Sequence, residues 1–217
     1  MTVTQKDFIT GEPRYRVCLD RTVKEFENKF GFPTGLDEFD KRYALQKVVR
    51  SDIKYAFGTR KRFSITRYGN GTWPVLYAAA DIETGIHEVA YHLRTSWKAD
   101  AKGNRRKRYR LSKRVAYVLG FDESSFVTVP SQAKYLDSKK YSDCHDFAKK
   151  ALSKKAKGLK APSVRKKGGL CYPVFDKDLV ETHPGLEKSF TIRWETGPDE
   201  LMHTANGQLK KFVLWRR

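Results

Sequence analysis

Apolar residues recur along this chain at two spacings, and the change from one to the other marks its elements. Ile82, Ile86, Val89, Ala90, Leu93 and Trp97 stand at offsets 0, 4, 7, 8, 11 and 15, which is one face of a helix. Asp81 precedes that stripe and is a natural N-cap. The short apolar run Pro74–Ala80 just before it predicts a buried strand. Cys144, Phe147, Ala148, Ala151 and Leu152 repeat at offsets 0, 3, 4, 7 and 8, so a second helix begins near Ser142. Further strands are predicted at 13–19, 115–121 and 125–129, at 158–165 and 170–176 across the turn Gly168–Gly169, and in the last two apolar stretches, 187–194 and 208–217. The segment 58–71 is basic and ends in turn residues, so it predicts a loop or hairpin. Residues 20–60 mix charge with aromatics and predict a helical region broken at Gly31–Pro33. Many short strands with two or three helices, and no regular βαβ alternation, predict an α+β fold in a single domain over 1–217.

Composition sharpens the picture of partners. Lys and Arg number 44 against 25 Asp and Glu, a formal charge of +19, which calls for an anionic partner. The apolar fraction of 39% and the aromatic fraction of 13% are those of a chain that folds around a core. Three widely spaced cysteines, Cys18, Cys144 and Cys171, make no disulfide framework and no CxxC pair, which points to a reducing compartment and away from a zinc knuckle. The first residues lack an apolar leader core, and no apolar run reaches membrane-spanning length, so a soluble cytoplasmic protein is expected, with no membrane partner. Basic clusters at 98–114 and 149–167 offer a nucleic-acid groove as one reading. Only Tyr109 and Phe147 interleave with them, so base stacking is weakly signalled, and 98–114 is expected to be an exposed connection.

Common catalytic signatures are missing. His87-Glu88-x-x-x-His92 resembles a zinc helix, but an offset of five turns the imidazoles about 140° apart where an offset of four would turn them about 40°, so no metal is expected. No dinucleotide or mononucleotide glycine loop and no nucleophile elbow is present. Cys144 and His145 are neighbours on a helix and point apart, so Cys144 reads as a residue of the apolar face.

The segment RFSITRYGNGTWPVLYAAADIETGIHEVAYH, 62–92, resembles the RES domain family. Arg67-Tyr68 leads through Gly69 and Gly71 to Val75-Leu76-Tyr77, and Glu88 follows eleven residues after Tyr77 on the helix. Farther on, YSDCHDFAKKAL (141–152), GLKAPSVR (158–165) and Gly168–Gly169 match the family's later helix, its short strand with Ser and Arg, and its glycine link. The resemblance covers about 62–176 and leaves 20–60 as an N-terminal helical region. Gly85 stands where Ala is usual, and His145 where Gln is usual.

The resemblance implies a fold similar to ADP-ribosyltransferases and a toxin held inactive by an Xre-like antitoxin. It implies consumption of NAD as substrate, by phosphorolysis or hydrolysis at the nicotinamide–ribose bond, or else transfer of ADP-ribose to a protein or nucleic acid. A basic nucleic-acid-binding module is the reading outside enzymes. By the resemblance Glu88, Arg67 and Tyr77 would be catalytic, with Arg62, Ser142, Tyr15 and Arg16 contributing to NAD binding. Arg62 competes with Arg67 for the key arginine, and Ser163 competes with Ser142 for the key serine, which also suits an N-cap. Glu88 lies 240° around the helix from Ile82, off the apolar stripe, where a carboxylate can face a sugar cation. Tyr77 shares a strand face with Val75 and Ala79, and at a cleft edge its ring would stack on a base while its hydroxyl bonds the ribose.

Overall fold

The computed structural model describes residues 14–19, 49–59, 61–101, 109–137, 140–182, 188–195, 200–205 and 208–213. For 14–19, 96–101, 109–113, Val115 and the strands beyond residue 187 other than Ile192, it describes the backbone course alone. The strands are β1 (Arg14–Leu19), β2 (Ile65–Thr66), β3 (Gly69–Asn70), β4 (Leu76–Ala79), β5 (Tyr109–Gly120), β6 (Phe126–Thr128), β7 (Gly158–Pro162), β8 (Leu170–Val174), β9 (Glu181–Thr182), β10 (Lys188–Glu195), β11 (Glu200–Ala205) and β12 (Gln208–Val213). The helices are α1 (49–57), α2 (Ile82–Ala101), α3 (Ala133–Leu136) and α4 (Ser142–Ser153). This is the α+β class expected, with antiparallel and parallel pairing in one sheet.

Among the described residues ten strands form one sheet in the order β12-β11-β10-β5-β1-β4-β8-β7-β6, with β9 added to β5. β6 and β7 are its parallel neighbours, joined by the crossover that carries α3 and α4. β2 and β3 form a separate hairpin with Arg67 and Tyr68 in its turn. Alternation along each strand divides the core. Leu76 and Ala78 of β4, Tyr117 and Leu119 of β5, and Tyr172 and Val174 of β8 form one cluster, against Val49 of α1. The Tyr117 hydroxyl donates to Asp52 Oδ2 at 2.9 Å and ties α1 to that face. A second cluster joins Leu159 and Ala161 of β7 to Cys144, Ala148 and Ala151, the apolar face foreseen for α4. In the third, Ile86 and Ala90 of α2 meet Ile192 of β10.

The predicted basic connection at 98–114 is corrected in part. α2 runs on to Ala101 and β5 already begins at Tyr109, so only 102–108 remains between them, outside the described residues. The cations of Tyr109–Arg114 are compatible with a strand because β10 pairs with the backbone along this whole stretch, β1 adding the second edge from Arg114 onward. β11 was not foreseen, since its sequence ELMHTA carries no clear alternation. The helical region expected over 20–60 is seen from residue 49; its earlier part and the Gly31–Pro33 break lie outside the described residues.

Leu159 is fully buried between β7 and α4. Leu159→Ala is expected to lower unfolding stability by about 2–5 kcal/mol, measured by urea denaturation, whereas Ile65→Ser on the exposed hairpin changes it by less than about 0.5 kcal/mol.

Candidate active site

The sequence around Asp81 builds a firm helix start. Thr84 donates its backbone N–H to Asp81 Oδ1 at 2.8 Å and its hydroxyl to Oδ2 at 2.7 Å. Lys166 Nζ, from the turn between β7 and β8, reaches Asp81 Oδ1 at 3.0 Å and Glu83 Oε2 at 2.9 Å. The same turn lies so close to α2 that a Cβ at Gly169 would stand 2.8 Å from Thr84 Oγ1, so the residue there has none.

Two helical turns on, Glu88 meets that turn. Ser163 Oγ donates to Glu88 Oε1 at 2.7 Å. The backbone N–H groups of Arg165 and Lys166 donate to Ser163 Oγ at 3.1 and 3.0 Å, which directs the serine proton toward the carboxylate. Cys171 Sγ stands 3.6 Å from the same Glu88 oxygen. Burial and the neighbouring Glu88 charge push the Cys171 thiol well up, so it stays protonated and donates. One carboxylate oxygen is thus fixed by β7–β8, leaving the other to the cavity.

Glu88 opens on a cavity of about 430 Å³, within the size range of small-molecule sites. Arg67, Tyr77, His92, Tyr141 and Arg165 line it as well. Arg67 is held from behind: Nη1 donates to Tyr135 O at 3.2 Å and to Asp137 O at 2.8 Å, and its guanidinium lies 5.1 Å from the Tyr141 ring centre. His145 Nε2 lies 2.7 Å from Thr66 O, which anchors the hairpin to α4. Tyr77 accepts from Tyr68 N–H at 2.8 Å and donates to Thr66 Oγ1 at 2.9 Å. Its hydroxyl proton is therefore held by the hairpin, so the hydroxyl expected to bond ribose has no proton free to give. Burial, against the bonds from Thr66 and Tyr68, keeps that phenol well above its ordinary pKa.

The structure brings Glu88, Arg67 and Tyr77 to one cavity. It does not bring Arg62 or Ser142 there: both are exposed and neither lines it. Ser142 is the first helical residue, the N-cap position falls on Tyr141, and no side chain caps the helix, so the capping expected of Ser142 is corrected. The serine beside Glu88 is Ser163. β1 sets Tyr15 opposite Ala79 and Arg16 opposite Tyr117; their side chains lie outside the described ones. His87 and His92 diverge as their spacing required: His87 is buried with Nε2 3.9 Å from Glu83, while His92 reaches the cavity. Burial lowers the pKa of both. Arg165, Tyr141 and Cys171 were not singled out as site residues, although the Ser-x-Arg of 163–165 was in view.

Sheet, helix and cavity define an α+β protein with a carboxylate-bearing cleft walled by arginine and aromatic rings. The model of the RES domain family matches residues 41–195, and the chain belongs to that family. The match ends where β10 ends. Membership is consistent with a toxin-like, NAD-acting role and with NAD-related enzymatic activity in general. No curated protein matches the chain. No described helix is long and apolar enough to cross a membrane.

Asp81 carries the acid sensitivity of this assembly. Burial acts to raise its pKa, but the Thr84 and Lys166 bonds outweigh it and leave it below the ordinary 3.8. A carboxyl with a depressed folded pKa stabilises above its unfolded value, and the gain is lost as pH falls through the folded one. Stability is therefore expected to drop on acidification below 3.8, and Asp81→Asn to flatten that limb. Urea midpoints at roughly pH 5 and roughly pH 3 test this, equal pH slopes in the two proteins being the contrary result.

Proposed function

We propose that the protein is an NAD-consuming toxin that cleaves the nicotinamide–ribose bond by phosphorolysis or hydrolysis, and that an Xre-like antitoxin neutralises it. The observation that carries this reading is the Glu88 carboxylate, fixed by Ser163 at 2.7 Å and open to a cavity that Arg67 and Tyr77 also line. Membership of the RES domain family is the ground for reading NAD as the substrate of that cavity.

In the reaction the bond between ribose C1′ and the pyridinium nitrogen breaks, and its electron pair leaves with nicotinamide, which becomes neutral. Positive charge develops on C1′ and the ring oxygen, as in glycoside cleavage. The Glu88 carboxylate stabilises that charge across the cavity, where low dielectric strengthens the attraction. A phosphate or water oxygen then bonds C1′ and gives up its proton to solvent when that oxygen is water. Tyr77 offers its ring to a flat heterocycle, and the N–H groups of Arg67 not held by Tyr135 and Asp137 are available to the dinucleotide. The buried free thiols Cys144 and Cys171 suit a reducing cytoplasm. The formal charge of +19 suits an acidic antitoxin surface.

Purified protein is expected to release nicotinamide from NAD, with Glu88→Gln slower by about a hundredfold to a thousandfold while circular dichroism stays unchanged. Chromatography of the products, with and without phosphate, separates ribose-1-phosphate esters from free ADP-ribose. Equal turnover by the two proteins, or no nicotinamide from either, contradicts the reading.

A further inference from the structure

Arg165 is the most unusual charged residue among those described. It is only 4% exposed, yet it carries a full guanidinium. A buried cation ordinarily has a carboxylate or carbonyl against it, because the charge loses its water on burial. Among the described residues no acceptor lies within hydrogen-bonding distance of this guanidinium; the side chains that bond Arg165 meet its backbone, Ser163 Oγ accepting from its N–H at 3.1 Å and His87 bonding the backbone as well. Glu88 attracts it through space without forming a salt bridge, and Arg67 across the cavity repels it. Burial first, and that repulsion later, lower its pKa, while Tyr91 and Glu88 act to raise it.

What holds the side chain is a stack. Its central carbon sits 3.3 Å from the centre of the Tyr91 ring, one turn of α2 beyond Glu88. Stacking satisfies the face of a guanidinium and leaves the N–H donors in its plane untouched. Those donors belong to a residue that lines the cavity. Arg67 differs, since Nη1 is already bonded to two backbone carbonyls. The cavity therefore has two guanidinium groups and one carboxylate, and Arg165 is the guanidinium whose N–H donors no described residue takes. In-plane N–H donors on a guanidinium that lines a cavity of net positive charge suit a tetrahedral oxyanion such as a phosphate group.

We propose that Arg165 is an anion-binding residue of this cavity: the Tyr91 ring fixes the plane of its guanidinium, and the free N–H edge grips a phosphate group. The proposal rests on the NAD reading only for the source of that phosphate, either the diphosphate of the dinucleotide or inorganic phosphate acting as acceptor.

Calorimetry with inorganic pyrophosphate and inorganic phosphate, on wild type, Arg165→Gln and Arg165→Lys, tests the site without reference to turnover. Loss of a charge-assisted bidentate contact is expected to weaken anion binding by about tenfold to a hundredfold in Arg165→Gln, with Arg165→Lys between it and wild type. If burial of Gln at this position unfolds the chain, Arg165→Lys and Tyr91→Leu, which frees the plane of the guanidinium, supply the comparison. In kinetics, a raised KM for NAD with unchanged phosphate dependence assigns the grip to the diphosphate. Lost phosphate dependence with unchanged KM for NAD assigns it to the acceptor. Pyrophosphate binding that depends on Arg165 in a protein releasing no nicotinamide upholds this site while the NAD reading falls. Wild-type protein that binds neither anion, or variants that bind both as wild type does, overturn the proposal.

Discussion

The hydrogen bond on which the site turns is Ser163 Oγ to Glu88 Oε1, at 2.7 Å and 75 residues apart in sequence. It is worth more than an exposed pair because a carboxylate withdrawn from water gains strongly from each donor it keeps. Behind it stands a chain of smaller fixings. Two backbone N–H groups orient the serine, Lys166 bridges to the two acids at the start of α2, and Gly169 lets the turn approach Thr84. Each is modest alone. Together they hold a helix-borne carboxylate against a sheet turn without covering its second oxygen.

The opposite wall follows a different plan. Arg67 sits on a two-stranded hairpin too short to be stable by itself, so the rest of the protein holds it. Tyr77 ties the turn to β4, His145 ties Thr66 to α4, and the carbonyls before α4 take Arg67 Nη1. The side chains that secure the hairpin are thus the ones whose polar atoms are engaged internally, and what they present to the cavity is ring face and remaining donors. This division explains why Tyr77 has a fully occupied hydroxyl proton in a place where a ligand would otherwise meet it.

Electrostatically the cavity is unbalanced. Glu88 is matched by two guanidinium groups, and the whole chain has a formal charge of +19. At a surface such an excess is screened within a Debye length. Inside a cleft it persists: burial is the largest cause of the lowered pKa of Arg165 and His92, and Arg67 adds to it at both. A pyridinium dinucleotide, the substrate proposed above, would set negative charge against these arginines and positive charge against the glutamate.

Periodicity made α2, α4, β4 and the β7–β8 pair legible in the chain, because their apolar residues repeat at the spacing of the backbone itself. The cap at Asp81, the divergence of His87 from His92 and the position of Glu88 off the apolar stripe were legible for the same reason, since all lie within one helix. The continuation of β5 into a basic stretch was not legible, as pairing with the distant β10 decided it rather than side-chain pattern. The choice between Ser142 and Ser163 was not legible either. The sequence favours Ser142 because it opens a helix, and only the sheet, by folding Ser163 onto α2, reverses that preference. Local sequence, then, determined which elements form and which face of each is apolar. Only the tertiary structure decided which polar groups meet across the cavity, because contacts between residues 67, 88, 163 and 165 depend on sheet order and closure rather than on any spacing along the chain.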